Sequence, residues 1–141
     1  MIPEWHKNYI EIPFAERGYS REGVNCWGLV YLIYKEQLKI DLPTYQEEYV
    51  TPYDLKELAA IAGRDGASVD WVAVEEGRLG DVAVFNMNGG FASHSGFVLG
   101  EGWMINARRS IWSCCEQYTR PFWKRRLKPA PAGIYRHRSM V

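Results

Sequence analysis

Three side chains stand out as a set able to do nucleophilic chemistry: Cys26, His94 and Asn106. Cys26 follows Asn25, a good helix-capping residue, and precedes the apolar run Trp27-Gly28-Leu29-Val30-Tyr31-Leu32-Ile33-Tyr34. At a helix start, backbone N–H groups and the helix dipole favour an anion, so a thiol placed there ionises more readily. An unpaired cysteine is equally a small core residue, and position alone leaves both readings open. His94 is the internal histidine; His6 and His137 lie near the termini. A thiol and an imidazole need only meet in space to form a nucleophile and its base, although a hydrogen-bonded structural histidine fits the same position.

Asn106 enters through hairpin geometry. If Gly100-Glu101-Gly102 is a three-residue loop, Leu99 pairs with Trp103 and Gly96 with Asn106. Asn106 and His94 then share a face as diagonal neighbours, roughly 7–8 Å apart along the backbone. Gly96 leaves the space between them empty, and the amide can accept from the ring and hold it. A solvent-facing Asn on a hairpin is the competing reading.

The elements that must hold these groups follow from periodicity. Residues 3–25 read as irregular, broken by Pro3, Pro13, Gly18 and Gly23. A buried helix is expected from Asn25 to about Leu38, and a second from Tyr53 to about Ala62, stopped by Gly63. After Gly80-Asp81 the pattern turns to strands: Val82–Phe85, His94–Leu99, Trp103–Ala107, Ile111–Glu116 and Ala132–Arg136. Helices first and strands after predict an α+β fold, with helices packed on one face of an antiparallel sheet.

The chain is 141 residues, expected to form one domain, with 47% apolar and 24% charged residues, which excludes disorder and coiled coil. Zero formal net charge excludes a general nucleic-acid binder. The charge is uneven: residues 102–141 carry nine Lys/Arg and the single acid Glu116, while residues 1–101 carry eight Lys/Arg and sixteen Asp/Glu. This basic segment is either a solvated face or a docking surface for an acidic partner or anionic polymer. Three cysteines, Cys26, Cys114 and Cys115, make no disulfide framework and no zinc site. No metal or cofactor is implied. No signal peptide and no membrane span is legible, which predicts synthesis in the cytoplasm and exit by lysis or in a particle.

Asn25-Cys26-Trp27-Gly28, Ser93-His94-Ser95-Gly96 and Asn106-Ala107, with twelve residues from His94 to Asn106, resemble the NlpC family of papain-like cysteine peptidases. Leu79-Gly80-Asp81-Val82-Ala83-Val84-Phe85 is similar to the strand motif preceding that family's histidine. Tyr9-Ile10-Glu11-Ile12-Pro13-Phe14, Leu42-Pro43, Tyr45 and Gly133-Ile134-Tyr135-Arg136-His137 are similar to a subgroup found at phage tail tips.

The resemblance implies Cys26 as nucleophile, His94 as base and Asn106 as its orienting partner. The helix start at Asn25 and Cys26 would supply the oxyanion N–H, and Phe14, Trp27 and Ser93 would line the substrate. It implies a peptidoglycan stem peptide cut between D-glutamate and diaminopimelate, tail-tip or hub proteins as partners, and assembly into a virion or phage-like particle acting on the cell wall. Asn25 replaces the family's usual Asp, Phe14 a common Tyr, and Asn106 the His of many members. Those departures also allow a weakly active or inactive structural component of a tail tip. An amidase or acyltransferase chemistry on the same scaffold is a third reading.

Overall fold

The computed structural model describes residues 1–43, 70–87 and 91–141. The helix expected at Tyr53–Ala62 lies outside the described residues. Helix α1, Cys26–Ile33, starts as expected: the Asn25 side chain caps it, accepting from the Gly28 N–H at 2.6 Å. Trp27, Gly28, Leu29, Val30, Leu32 and Ile33 are all buried, so the helix is apolar nearly all round and belongs in the core. It runs into a wider π-helical turn at Tyr34–Leu38, and Lys39, at φ 58°, ends it.

The strands are β1 (Tyr19–Ser20), β2 (Gly23–Val24), β3 (Trp71–Val74), β4 (Val82–Met87), β5 (Phe91–Gly100), β6 (Trp103–Arg108), β7 (Ile111–Gln117) and β8 (Gly133–His137). β1 and β2 pair with each other, and the other six form one antiparallel sheet in the order β3-β8-β4-β5-β6-β7. The fold class is therefore the expected α+β arrangement. Strand alternation divides the core in two. Val82, Val84, Phe97, Leu99, Ile105 and Ala107 pack with α1. Ala83, Phe85, Val98 and Met104 pack on the opposite face with Trp123 of a short helix, α2 (Pro121–Lys124). The N-terminal helix packs on one face as expected, and α2, from the C-terminal segment, adds an aromatic lid to the other. Among the described residues, no helix is long and apolar enough to cross a membrane.

The N-terminal stretch is more ordered than its prolines suggested. Glu4–Tyr9 is a 3-10 helix, and the residues after it close the outer edge of β7. There Glu11 N–H donates to the Ser113 carbonyl at 2.7 Å, Ser113 N–H to Ile12 at 3.0 Å, Ile12 N–H to Ser113 Oγ at 2.8 Å, and that hydroxyl to the Tyr9 carbonyl at 2.6 Å. A strand edge left bare is a site for unwanted pairing, and this strap covers it around Ser113.

The register is the expected one with a different turn. Gly96 pairs with Asn106, but Trp103 pairs with Gly100 rather than Leu99. The loop is the two residues Glu101 and Gly102, at φ 55° and 83°, the mirror-image turn that suits twisted hairpins. Leu99 is an extra residue, a bulge, and it restores the pairing of Val98 with Met104. Ser93 is likewise an extra residue, since Phe85 pairs with His94 and Asn86 with Ala92.

Gly80-Asp81 earns its place through a buried ion pair. Asp81, wholly buried, accepts from Arg136 Nε and a terminal guanidinium nitrogen, both at 2.8 Å, and from the Arg78 N–H at 2.8 Å. This joins the turn before β4 to β8. Arg136→Met would strand that carboxylate in the interior, which costs about 3–5 kcal/mol. Urea unfolding is expected to show a loss of that order, with Asp81→Asn in the same chain recovering part of it.

Candidate active site

Cys26 is the first residue of α1 and is half-buried. Its setting is built by Asn25, whose side chain faces two ways: Oδ1 accepts from Gly28 N–H, and Nδ2 donates to the Glu16 carbonyl at 2.7 Å. A carboxylate could make the first bond but not the second. The replacement of Asp therefore ties the loop at residues 16–18 to the helix start and puts no negative charge beside the thiol. Gly28 is needed for the same contact, because a Cβ there would lie 1.8 Å from the Gly18 carbonyl oxygen.

Of the side chains expected to line the substrate, Phe14 is half-buried beside the helix start: its backbone bridges to Val24, and the Arg109 guanidinium lies 5.7 Å from its ring. Trp27, also expected to line the substrate, faces the core. It is fully buried, its indole N–H donates to the Pro43 carbonyl at 2.9 Å, and its ring meets Trp71 edge-on at 6.3 Å. Pointing into the core, it anchors the helix from behind. Ser93 is half-buried at its bulge, and its Oγ is shielded from water with no partner among the described residues.

The sheet brings His94 and Asn106 together. His94 Nε2 lies 3.0 Å from Asn106 Oδ1. The bare Gly96 makes this possible: a Cβ there would stand 2.6 Å from Met104 Sδ and 3.5 Å from Asn106 Cβ. The imidazole joins a cluster of three rings, stacked on Trp123 at 5.4 Å and 21° and tilted against Phe85 at 6.0 Å, while Phe85 and Trp123 lie 4.7 Å apart. Among the described residues, no hydrogen bond links the Cys26 thiol to His94; such contacts commonly tighten only when substrate binds.

Behind Asn106 stands a carboxylate that the motifs did not reveal. Asn106 Nδ2 donates to Glu116 Oε2 at 2.8 Å and to the Cys114 carbonyl at 3.4 Å. The amide NH2 faces away from the ring, so the oxygen faces it. An amide oxygen only accepts, so Nε2 carries the imidazole hydrogen and Nδ1 is the basic nitrogen. Glu116 also accepts from Trp123 Nε1 at 3.3 Å and from Arg108 at 3.3 and 3.5 Å. A sequence signal existed: Glu116 is the lone acid of the last forty residues, and on β7 it shares the face of Cys114, which pairs with Asn106.

Burial dominates the titration of His94 and pulls its pKa down to about 4, with Arg108 pushing the same way and Asn106 and Glu116 opposing. Burial and then Glu116 push the Cys114 thiol up to about 11, and the same causes raise Cys115. Both vicinal thiols are thus held protonated at neutral pH and are poor nucleophiles.

The NlpC/P60 family model matches residues 11–130. Murein DD-endopeptidase MepS/Murein LD-carboxypeptidase of Escherichia coli strain K12 is 24% identical over 129 residues, 92% of this chain and 60% of that protein. The chain thus spans about 60% of the length of the curated relatives it matches. Among solved structures, the NlpC/p60 domain of the peptidoglycan hydrolase SagA superposes with a TM-score of 0.56 at 18% identity, over 92% of this chain and 89% of that one. An NlpC/P60 family protein from Bacillus cereus ATCC 10987 gives 0.63 at 21% identity, over 96% of this chain and 40% of that one. At these identities the likeness is one of fold.

Because the folded imidazole resists protonation until about pH 4 and its ordinary value is 6.5, the unfolded chain binds a proton between those limits that the folded chain refuses. Stability from this group is complete above 6.5 and falls on acidification toward 4, by up to about 3 kcal/mol. Urea unfolding at pH 7 and pH 5 should show this loss, and His94→Gln should flatten that part of the slope.

Proposed function

The chain belongs to the NlpC/P60 family, whose peptidoglycan endopeptidases are cysteine peptidases, and on that premise we propose that it hydrolyses peptide bonds in peptidoglycan with Cys26 as nucleophile. The observation that carries this reading is the His94–Asn106 bond at 3.0 Å, which leaves Nδ1 as the nitrogen able to take a proton. His94 Nδ1 accepts the Cys26 thiol proton, and the thiolate attacks the substrate carbonyl. The Cys26 backbone N–H at the helix start stabilises the oxyanion. Nδ1 then protonates the leaving amine, and water, deprotonated by the same nitrogen, releases the acyl group and restores the thiol. Asn106 keeps the ring in place throughout.

The finer parts of the reading rest on the sequence. The bond between D-glutamate and diaminopimelate is the one the NlpC resemblance points to. The similarity of Tyr9–Phe14 and Gly133–His137 to tail-tip peptidases supports a role on a phage-like tail tip, opening the wall as DNA enters, by one domain of residues 1–141. The basic segment supports a docking role there: Arg120, Lys124 and Arg125 are exposed, with Phe122 beside them at 40% exposure.

Purified peptidoglycan incubated with the protein should release stem-peptide fragments identifiable by mass spectrometry. Cys26→Ala should abolish release with the fold intact. Limiting iodoacetamide at neutral pH should label Cys26 ahead of Cys114 and Cys115. Unchanged turnover in Cys26→Ala would sink the mechanism.

A further inference from the structure

Glu116 sits two residues beyond Cys114 on β7, on the face that carries Asn106 and His94. Its side chain is 26% exposed and takes hydrogen bonds from two other elements of the site. Asn106 Nδ2 and Arg108 reach it from β6, and Trp123 Nε1 from α2, whose ring also covers His94. Cys114 Sγ adds a fourth donor at 3.5 Å. Every neighbour is therefore a donor, and an ionised carboxylate, which only accepts, is the one side-chain state that satisfies them all. Burial alone would raise its pKa, but the bonds from Asn106 and Trp123 and the charge of Arg108 outweigh burial and leave it below the ordinary carboxylate value.

A primary amide can turn over, exchanging its oxygen for its NH2 at little cost in shape. In Asn106 the two orientations impose opposite tautomers on His94. With oxygen toward the ring, Nε2 bears the hydrogen and Nδ1 is the base. With NH2 toward the ring, Nε2 must accept, the hydrogen moves to Nδ1, and the basic nitrogen faces the wrong partner. Nothing in the His94–Asn106 pair alone chooses between them, and the Cys114 carbonyl, 3.4 Å from Nδ2, accepts only a long bond beside the 2.8 Å bond to Glu116. We propose that Glu116 is a positioning residue whose carboxylate, by refusing any donor role, locks the Asn106 amide with its oxygen toward His94 and so sets the imidazole tautomer that catalysis requires. Its kinetic consequence rests on the reading of His94 as base; its structural consequence does not.

Glu116→Gln tests this with almost no change of volume. Trp123 Nε1 favours the new amide oxygen where Oε1 now lies, which turns the new NH2 toward Asn106; Arg108, 3.5 Å from Oε1 and 3.3 Å from Oε2, holds neither position over the other. Asn106 then turns its oxygen toward Gln and its NH2 toward the ring. Long-range 1H–15N correlation of histidine-labelled protein, at neutral pH and without substrate, should show His94 as the Nε2–H tautomer in the parent and as Nδ1–H in Glu116→Gln. Turnover of peptidoglycan fragments should fall by about ten- to a hundredfold with KM little changed. Adding Asn106→Asp supplies an acceptor on both sides and should bring back the Nε2–H tautomer. Retention of Nε2–H together with parental turnover in Glu116→Gln overturns the proposal. A tautomer switch in a protein whose parent cleaves no peptidoglycan upholds the relay and overturns the peptidase reading instead.

Discussion

One extra residue decides which face of the sheet the site occupies. A two-residue turn at Glu101-Gly102 without a bulge would pair Phe97 with Asn106, and strand alternation would turn the amide toward α1. The bulge at Leu99 shifts the pairing by one and sets Asn106 opposite Gly96, on the side of His94. The hydrogen bond to the imidazole, the bond from Asn106 to Glu116 and the stacking of Trp123 over the ring all presuppose that shift. The irregularities cluster accordingly: Ser93 bulges beside His94, and the pairing of β6 with β7 slips between Asn106 and Arg108. Bulges re-aim side chains where a regular ladder would point them elsewhere.

The site is built to keep charge off the imidazole at rest. Buried against Phe85 and Trp123, His94 is neutral near pH 7, and its hydrogen-bond partner is an amide rather than a carboxylate. The negative charge stands one step back at Glu116, where Arg108 balances it. At the other end, Asn25 caps the helix without adding a carboxylate beside Cys26. Two of the three departures from the family pattern, Asn25 and Asn106, are alike in this respect: each makes its contacts by neutral hydrogen bonding.

Much of this was legible in the sequence because its signals are local. A capping Asn before an apolar run gives α1, and the spacing of glycines around residue 101 gives the hairpin and the meeting of His94 with Asn106. The register came out right through a turn of the wrong length, because a three-residue loop and a two-residue turn with a bulge leave the same strands paired. What sequence reading missed depends on distant partners. Strand Trp71–Val74 is short and, among the described residues, pairs with β8 alone. The inward direction of Trp27 was not legible because an aromatic after Cys26 carries no mark of the direction it faces. Glu116 acquires meaning only when α2 folds over the sheet and brings Trp123 to it.

The strap around Ser113 has a consequence for the order in which the chain becomes competent. Closing a hairpin of a dozen residues is fast, so His94 and Asn106 meet early. The Ile12 contact with Ser113 joins residues separated by 101 positions, and the Asp81–Arg136 pair joins residues separated by 55. Such long closures come late, because loop entropy must be overcome before the contacts reward it. On a ribosome, Ile12 waits for its partner strand through most of translation. Ser113 follows Asn106 by only seven residues, so the order of synthesis separates the two events little; the long closure is what leaves the segment leading to Cys26 to be fastened after the imidazole–amide pair has met.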